Sequence, residues 1–79
     1  MPNLNESGTV ALNNYLQSKG LVAALSWQES LSGPKSAPTW TCVCKISGQV
    51  FGTGEGSLKR TARDIAAKQA LKSLTEESA

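Results

Sequence analysis

Gly52-Thr53-Gly54-Glu55-Gly56-Ser57-Leu58-Lys59-Arg60-Thr61-Ala62-Arg63-Asp64-Ile65-Ala66-Ala67-Lys68-Gln69-Ala70-Leu71 carries the chain from a strand into a helix, and this junction decides the fold. Before Ser57, glycine at every second position permits bends and close backbone approach at a strand's end. After it, Leu58, Ala62, Ile65, Ala66, Ala70 and Leu74 recur at the spacing of an amphipathic helix from Leu58 to Leu74. Ser57 is placed to cap that helix.

Working back toward the N-terminus, Val50 to Gly54 supplies a short strand, and Ser47-Gly48 a tight turn before it. The clearest strand precedes the turn. Trp40, Cys42, Cys44 and Ile46 alternate with Thr41, Val43 and Lys45, a period of two with one buried face. Ser32 to Pro38 is a loop, with two prolines and a glycine. Another strand falls within Leu25 to Leu31, although its alternation is weak and leaves Trp27 unphased. Val10 to Lys19 reads as a short helix that stops at Gly20. Its Ala11, Leu12, Tyr15 and Leu16 face the core, while Val10, Asn13, Asn14 and Gln17 form a second, largely polar stripe. The expected architecture is α+β, with the order α-β-β-β-α. A three-stranded antiparallel sheet carries both helices on one face, because neither helix can bury its apolar stripe alone.

Seventy-nine residues make one domain. A chain of this size buries only about 60% of its unfolded surface, so the core is thin. With 39% hydrophobic and 18% charged residues it is nonetheless unlike a disordered tail. The division is a flexible segment over 1–8, the domain over 9–75 and an acidic tail over 76–79. No run approaches the ~18 apolar residues of a membrane span, and the polar start has no signal-peptide core. Together these point to an intracellular protein, cytoplasmic or nuclear, with no membrane association.

Several kinds of chemistry are excluded. Cys42 and Cys44, two apart in a strand, sit about 6.6 Å from each other along the chain and are poorly oriented for a disulfide. There is no His and no third Cys to complete a metal site, so the pair reads as two small buried hydrophobes. The glycine run lacks GxxxxGK[ST], since Leu58 follows Ser57, which argues against a nucleotide site. Scattered acids and cysteines without a nearby base offer no nucleophile or acid–base pair. Neither catalysis, nor a cofactor, nor a small-molecule substrate is expected.

The net charge of +2 is mild, but its distribution is not. Lys59, Arg60, Arg63, Lys68 and Lys72 stand against Asp64 alone between positions 59 and 72, the concentration expected of a polyanion-binding surface. The helix N-terminus carries roughly half a positive charge, so acids belong in its first turn. Lys59, Arg60 and Arg63 stand there instead, and Lys59 with Arg63 is a like-charge i, i+4 pair costing roughly a few tenths of a kcal/mol. Stability alone would not choose this. Three cations beside free backbone N–H groups suit a phosphate.

These segments resemble the double-stranded-RNA-binding domain. The resemblance rests on Gly33-Pro34, on Trp40 to Gly48, on Gly52-Thr53-Gly54-Glu55-Gly56, and on the helix from Lys59 to Leu71. Leu12 to Leu21 is similar to that family's first helix, so the likeness covers residues 9 to 75. It implies three RNA-facing regions. The stripe of Val10, Asn13, Asn14 and Gln17 would enter one minor groove. The loop of Pro34, Lys35 and Ser36 would reach the next, while Lys59, Arg60 and Arg63 would straddle the phosphates between. Such domains span about 16 bp and read shape and 2′-hydroxyls more than sequence. The family usually carries His two residues after the loop's Gly-Pro, where Ser36 stands here. It often carries Glu late in the first-helix stripe, where this chain has Asn14. Leu58 replaces a commonly small polar residue and is expected to pack. These differences bear on affinity more than on fold.

The leading expectation is therefore sequence-independent binding of duplex RNA. The alternative is a protein–protein module of the same fold, pairing with a copy of itself or a partner through an apolar edge around Val50 and Phe51. Either could be the targeting part of a larger RNA-processing or RNA-silencing enzyme, such as a ribonuclease III or Dicer-like protein.

Overall fold

In the computed structural model, which describes residues 8–77, α1 (Gly8–Lys19) leads through a 3₁₀ turn at Val22–Ala24 into three strands and a second helix. The strands are β1 (Leu25–Ser32), β2 (Thr39–Ile46) and β3 (Gln49–Gly56), followed by α2 (Lys59–Glu77). The sheet order is β1-β2-β3, antiparallel throughout, so the expected α-β-β-β-α architecture is the one found. Residues 1–7 of the expected N-terminal segment, and 78–79 of the expected tail, lie outside the described residues.

α1 ends where the sequence places its stop. The Gly20 N–H donates to the Gln17 carbonyl at 3.2 Å and the Leu21 N–H to that of Leu16 at 2.8 Å. Gly20 adopts φ +69, the left-handed conformation such a paired closure requires. The start lies two residues earlier than the apolar spacing indicates, at Gly8, whose N–H donates to the Asp64 carboxylate of α2. That contact places a negative charge at the positive end of α1 and ties the two helices together.

The strand register sorts the sheet into two faces. Leu25, Trp27, Glu29 and Leu31 of β1 lie opposite Ile46, Cys44, Cys42 and Trp40 of β2. The last three of those lie opposite Gly52, Gly54 and Gly56 of β3. This face receives α2. The other carries Ser26, Gln28, Thr41, Thr53 and Glu55 together with Val43 and Val50, a mostly polar surface. The β2–β3 turn at Ser47-Gly48 has positive φ at both residues, 54° and 80°, which matches the strands' own twist. A shift of register between Cys44 and Lys45 leaves Phe51 as the bulged residue of β3.

The core is built from α1 Leu12 and Leu16, β2 Cys42, Cys44 and Ile46, and α2 Ala62, Ala66, Ala67, Ala70 and Leu74. Both cysteines are free thiols buried beneath α2. Burial pushes the Cys44 thiol up to about 11 and raises that of Cys42. Small side chains let α2 lie almost on the backbone of β3. A Cβ added to Gly52 would sit 2.7 Å from the Ala70 amide nitrogen, and one on Gly54 2.6 Å from that of Ala66. The alternating glycines are thus a track on which an alanine-faced helix rests.

Three expectations about α2 need correction. The helix begins at Lys59, and the Leu58 carbonyl accepts the bond from the Ala62 N–H, so Leu58 and not Ser57 holds the cap position. Leu58 and Ile65 do not join the core, being 52% and 43% exposed, because the buried apolar face that α2 turns to the sheet is the stripe of Ala62, Ala66 and Ala70. Finally, Glu76 and Glu77 continue the helix.

Candidate nucleic-acid interface

The β1–β2 loop and the β3–α2 junction lie at the same end of the sheet, because Trp40 pairs with both Leu31 and Gly56. Asp64, one turn into α2, draws in the start of α1. The structure therefore brings the loop and the tip of α2 to one end of the sheet and ties the first residue of α1 to α2. The candidate site residues lie in that loop, at that tip and along the length of α1.

In α1, Val10, Asn14 and Gln17 are exposed and Asn13 is half-buried, while Leu12 and Leu16 are inward. The polar stripe of the sequence is a real outer face of the helix. In the loop, Pro34, Lys35 and Ser36 are all exposed, and the Pro34 carbonyl accepts from the Ala37 N–H at 3.0 Å, which shapes the turn that presents them.

The tip of α2 differs from the simple cluster of free cations read from the sequence. Glu29, on the helix-facing side of β1, reaches both Lys59 and Arg63. Its Oε1 lies 3.3 Å from Lys59 Nζ, and its Oε2 accepts from the Arg63 guanidinium. Two tryptophans complete the arrangement. Lys59 Nζ stands 5.5 Å from the centre of the Trp40 ring, and Arg63 Cζ 5.3 Å from that of Trp27, both within cation–π range. Burial alone would raise the Glu29 pKa, but the hydrogen bonds and charges of Arg63 and Lys59 outweigh it and hold the carboxyl below its ordinary value. Arg63 is thus turned inward, its Nε buried with no hydrogen-bond partner. Lys59 keeps half of its side chain in solvent. Arg60 is exposed and forms no ion pair among the described residues.

Glu29 and Trp27 are the residues of this site that periodicity missed, while Trp40, which it places on the buried face, is not marked by it as part of the site. A signal existed: once β1 is phased on Trp27, Glu29 falls on the same face, and a carboxylate facing a helix needs a cationic partner. The like-charge strain at the helix tip is correspondingly smaller than the sequence implies, since the carboxylate comes from 34 residues away.

The edges of the sheet also matter. Val50 is 54% exposed on β3, whereas Phe51 packs against the core, so the apolar edge expected there is reduced to one side chain. The Thr53 N–H donates to Gln69 Oε1 at 2.7 Å, which removes one donor from any strand that would add to that edge.

Among the described residues no helix is long and apolar enough to cross a membrane. The fold and the basic helix tip are those of a small nucleic-acid-binding domain. The family model for the double-stranded RNA binding motif matches residues 11–74, and the chain belongs to that family. No curated protein matches it. Among solved structures it is similar to the solution structure of both dsRBDs of DRB4 with their linker, at 33% identity and a TM-score of 0.67. That likeness covers 91% of this chain and 49% of the other, so this chain spans about half of that two-domain structure.

Proposed function

We propose that this domain binds double-stranded RNA without regard to sequence and does no chemistry on it. Phosphates of the major groove lie at Lys59 and Arg60, with Arg63 behind them adding charge from its place on Trp27. Asn13, Asn14, Gln17 and the exposed edge of Val10 enter one minor groove, and Pro34, Lys35 and Ser36 the next. The family assignment supports the ligand. The observation that supports the contact reading is that the outer face of α1, the β1–β2 loop and the tip of α2 each present exposed polar or cationic side chains, with the loop and the tip at one end of the sheet. A-form RNA suits such a reader because its wide minor groove displays 2′-hydroxyls while its phosphates flank a deep, narrow major groove.

Replacing Lys59 and Arg60 together by Ala tests the reading. Neither side chain belongs to the core, so the fold is retained. Duplex RNA affinity at about 0.1 M salt should fall at least tenfold, and the slope of log affinity against log salt should flatten by about 1–2. Full affinity in calorimetric titration would contradict the assignment of these residues.

A further inference from the structure

Among the described residues Glu29 is the one carboxylate paired with Lys59 and Arg63 at the basic tip of α2, and its position is unusual for an interface meant to attract phosphate. It stands on the helix-facing side of β1, with only 20% of its side chain exposed, and gives one oxygen to Lys59 and the other to Arg63. A phosphodiester offers the same two things, a negative charge and two unshared oxygens, to the same donors. We propose that Glu29 is an intramolecular rival of the RNA phosphate. In the free domain it occupies the donors that a phosphate would use, and so sets an upper limit on affinity. The inference rests on the RNA-binding reading above and deepens it.

The rivalry is electrostatic. Lys59, Arg60 and Arg63 carry three positive charges, of which the Glu29 carboxylate compensates one, leaving Arg60 as the member of the trio without an ion pair among the described residues. An arriving phosphate must share Lys59 with the carboxylate or displace it, and in either case it meets a like charge at close range. The tryptophans allow that exchange. With Trp40 beneath it, the Lys59 ammonium keeps a favourable contact while it turns from carboxylate to phosphate. Arg63, more enclosed and within cation–π range of Trp27, stays in place.

Glu29→Gln removes the charge but keeps the shape and an oxygen that accepts from Arg63. Its duplex RNA affinity should rise about two- to fivefold over the wild type at low salt, and its salt dependence should steepen. An equal or lower affinity in a variant with a normal thermal melt would overturn the proposal. Should the variant not fold, the wild-type protein carries the test. With a 13C-labelled Glu side chain, the Glu29 carboxyl resonance should shift as a 20-base-pair RNA duplex is titrated in. A resonance unmoved at saturation would equally overturn it. The Lys59→Ala/Arg60→Ala double variant is measured alongside. If that variant binds RNA as well as the wild type, the RNA-contact reading fails and takes the rivalry with it. If it loses affinity while Glu29→Gln gains none, the contact reading stands and the rivalry alone is wrong.

Discussion

The amide nitrogen of Ala66 on α2 comes so near Gly54 on β3 that a side-chain carbon on the glycine would lie 2.6 Å from it. Real Cβ atoms do not approach so closely, so helix and sheet are in contact through backbone. Because the same helix carries Lys59, Arg60 and Arg63 at its tip, this contact sets where the cations stand over the sheet.

Gly54→Ala should therefore destabilise the domain by about 2–3 kcal/mol, since the added methyl has backbone on its far side and nothing flexible to displace. That is a large share of the stability expected of so small a domain. Urea denaturation followed by circular dichroism checks it. A loss below about 0.5 kcal/mol would mean that α2 does not rest on the glycine track.

Cys42 and Cys44 should behave as core side chains and not as reagents. Both are fully buried, and burial holds the Cys44 thiol at about 11, so thiolate is scarce at neutral pH. A chromogenic disulfide reagent at pH 7.5 should modify neither thiol rapidly in the folded protein and both in denaturant. Fast reaction of the native protein would place them elsewhere.

Glu29 should mark the acid limb of stability. Its folded pKa is lowered by Arg63 and Lys59, so its contribution is fully present above the ordinary carboxyl value. The contribution is lost as pH falls through that value toward the lowered one. The difference in Tm between the wild type and Glu29→Gln should accordingly shrink as pH drops from about 5 to about 3. A difference that grows with acidity would reverse the sign of the interaction.

Most of the fold was legible because it lies in local patterns. Trp40 to Ile46 alternates cleanly, Gly20 ends α1 at the predicted place, and the alternation of Gly52, Gly54 and Gly56 signals the close approach that Ala62, Ala66 and Ala70 complete. The errors are at boundaries and in long-range charge. Gly8 joins α1 because Asp64, 56 residues away, caps it. Leu58 looks apolar enough to pack, yet it stays half exposed outside the buried alanine stripe. The tip of α2 read as a set of uncompensated cations because Glu29 sits in the weakest strand, where Trp27 alone could have fixed which face it occupies. Periodicity reports what one element buries. It does not report which element lies opposite.

The proposed function requires this surface to recognise the geometry of an A-form duplex and not charge alone. Competition at fixed salt, near 0.15 M, tests it most directly: a labelled 20-base-pair RNA duplex against unlabelled RNA duplex, DNA duplex and single-stranded RNA of equal length. The RNA duplex should compete at least tenfold better than either of the others, because only it combines paired minor grooves with 2′-hydroxyls. Equal competition by the DNA duplex would contradict the account, leaving a basic helix tip that binds any polyanion.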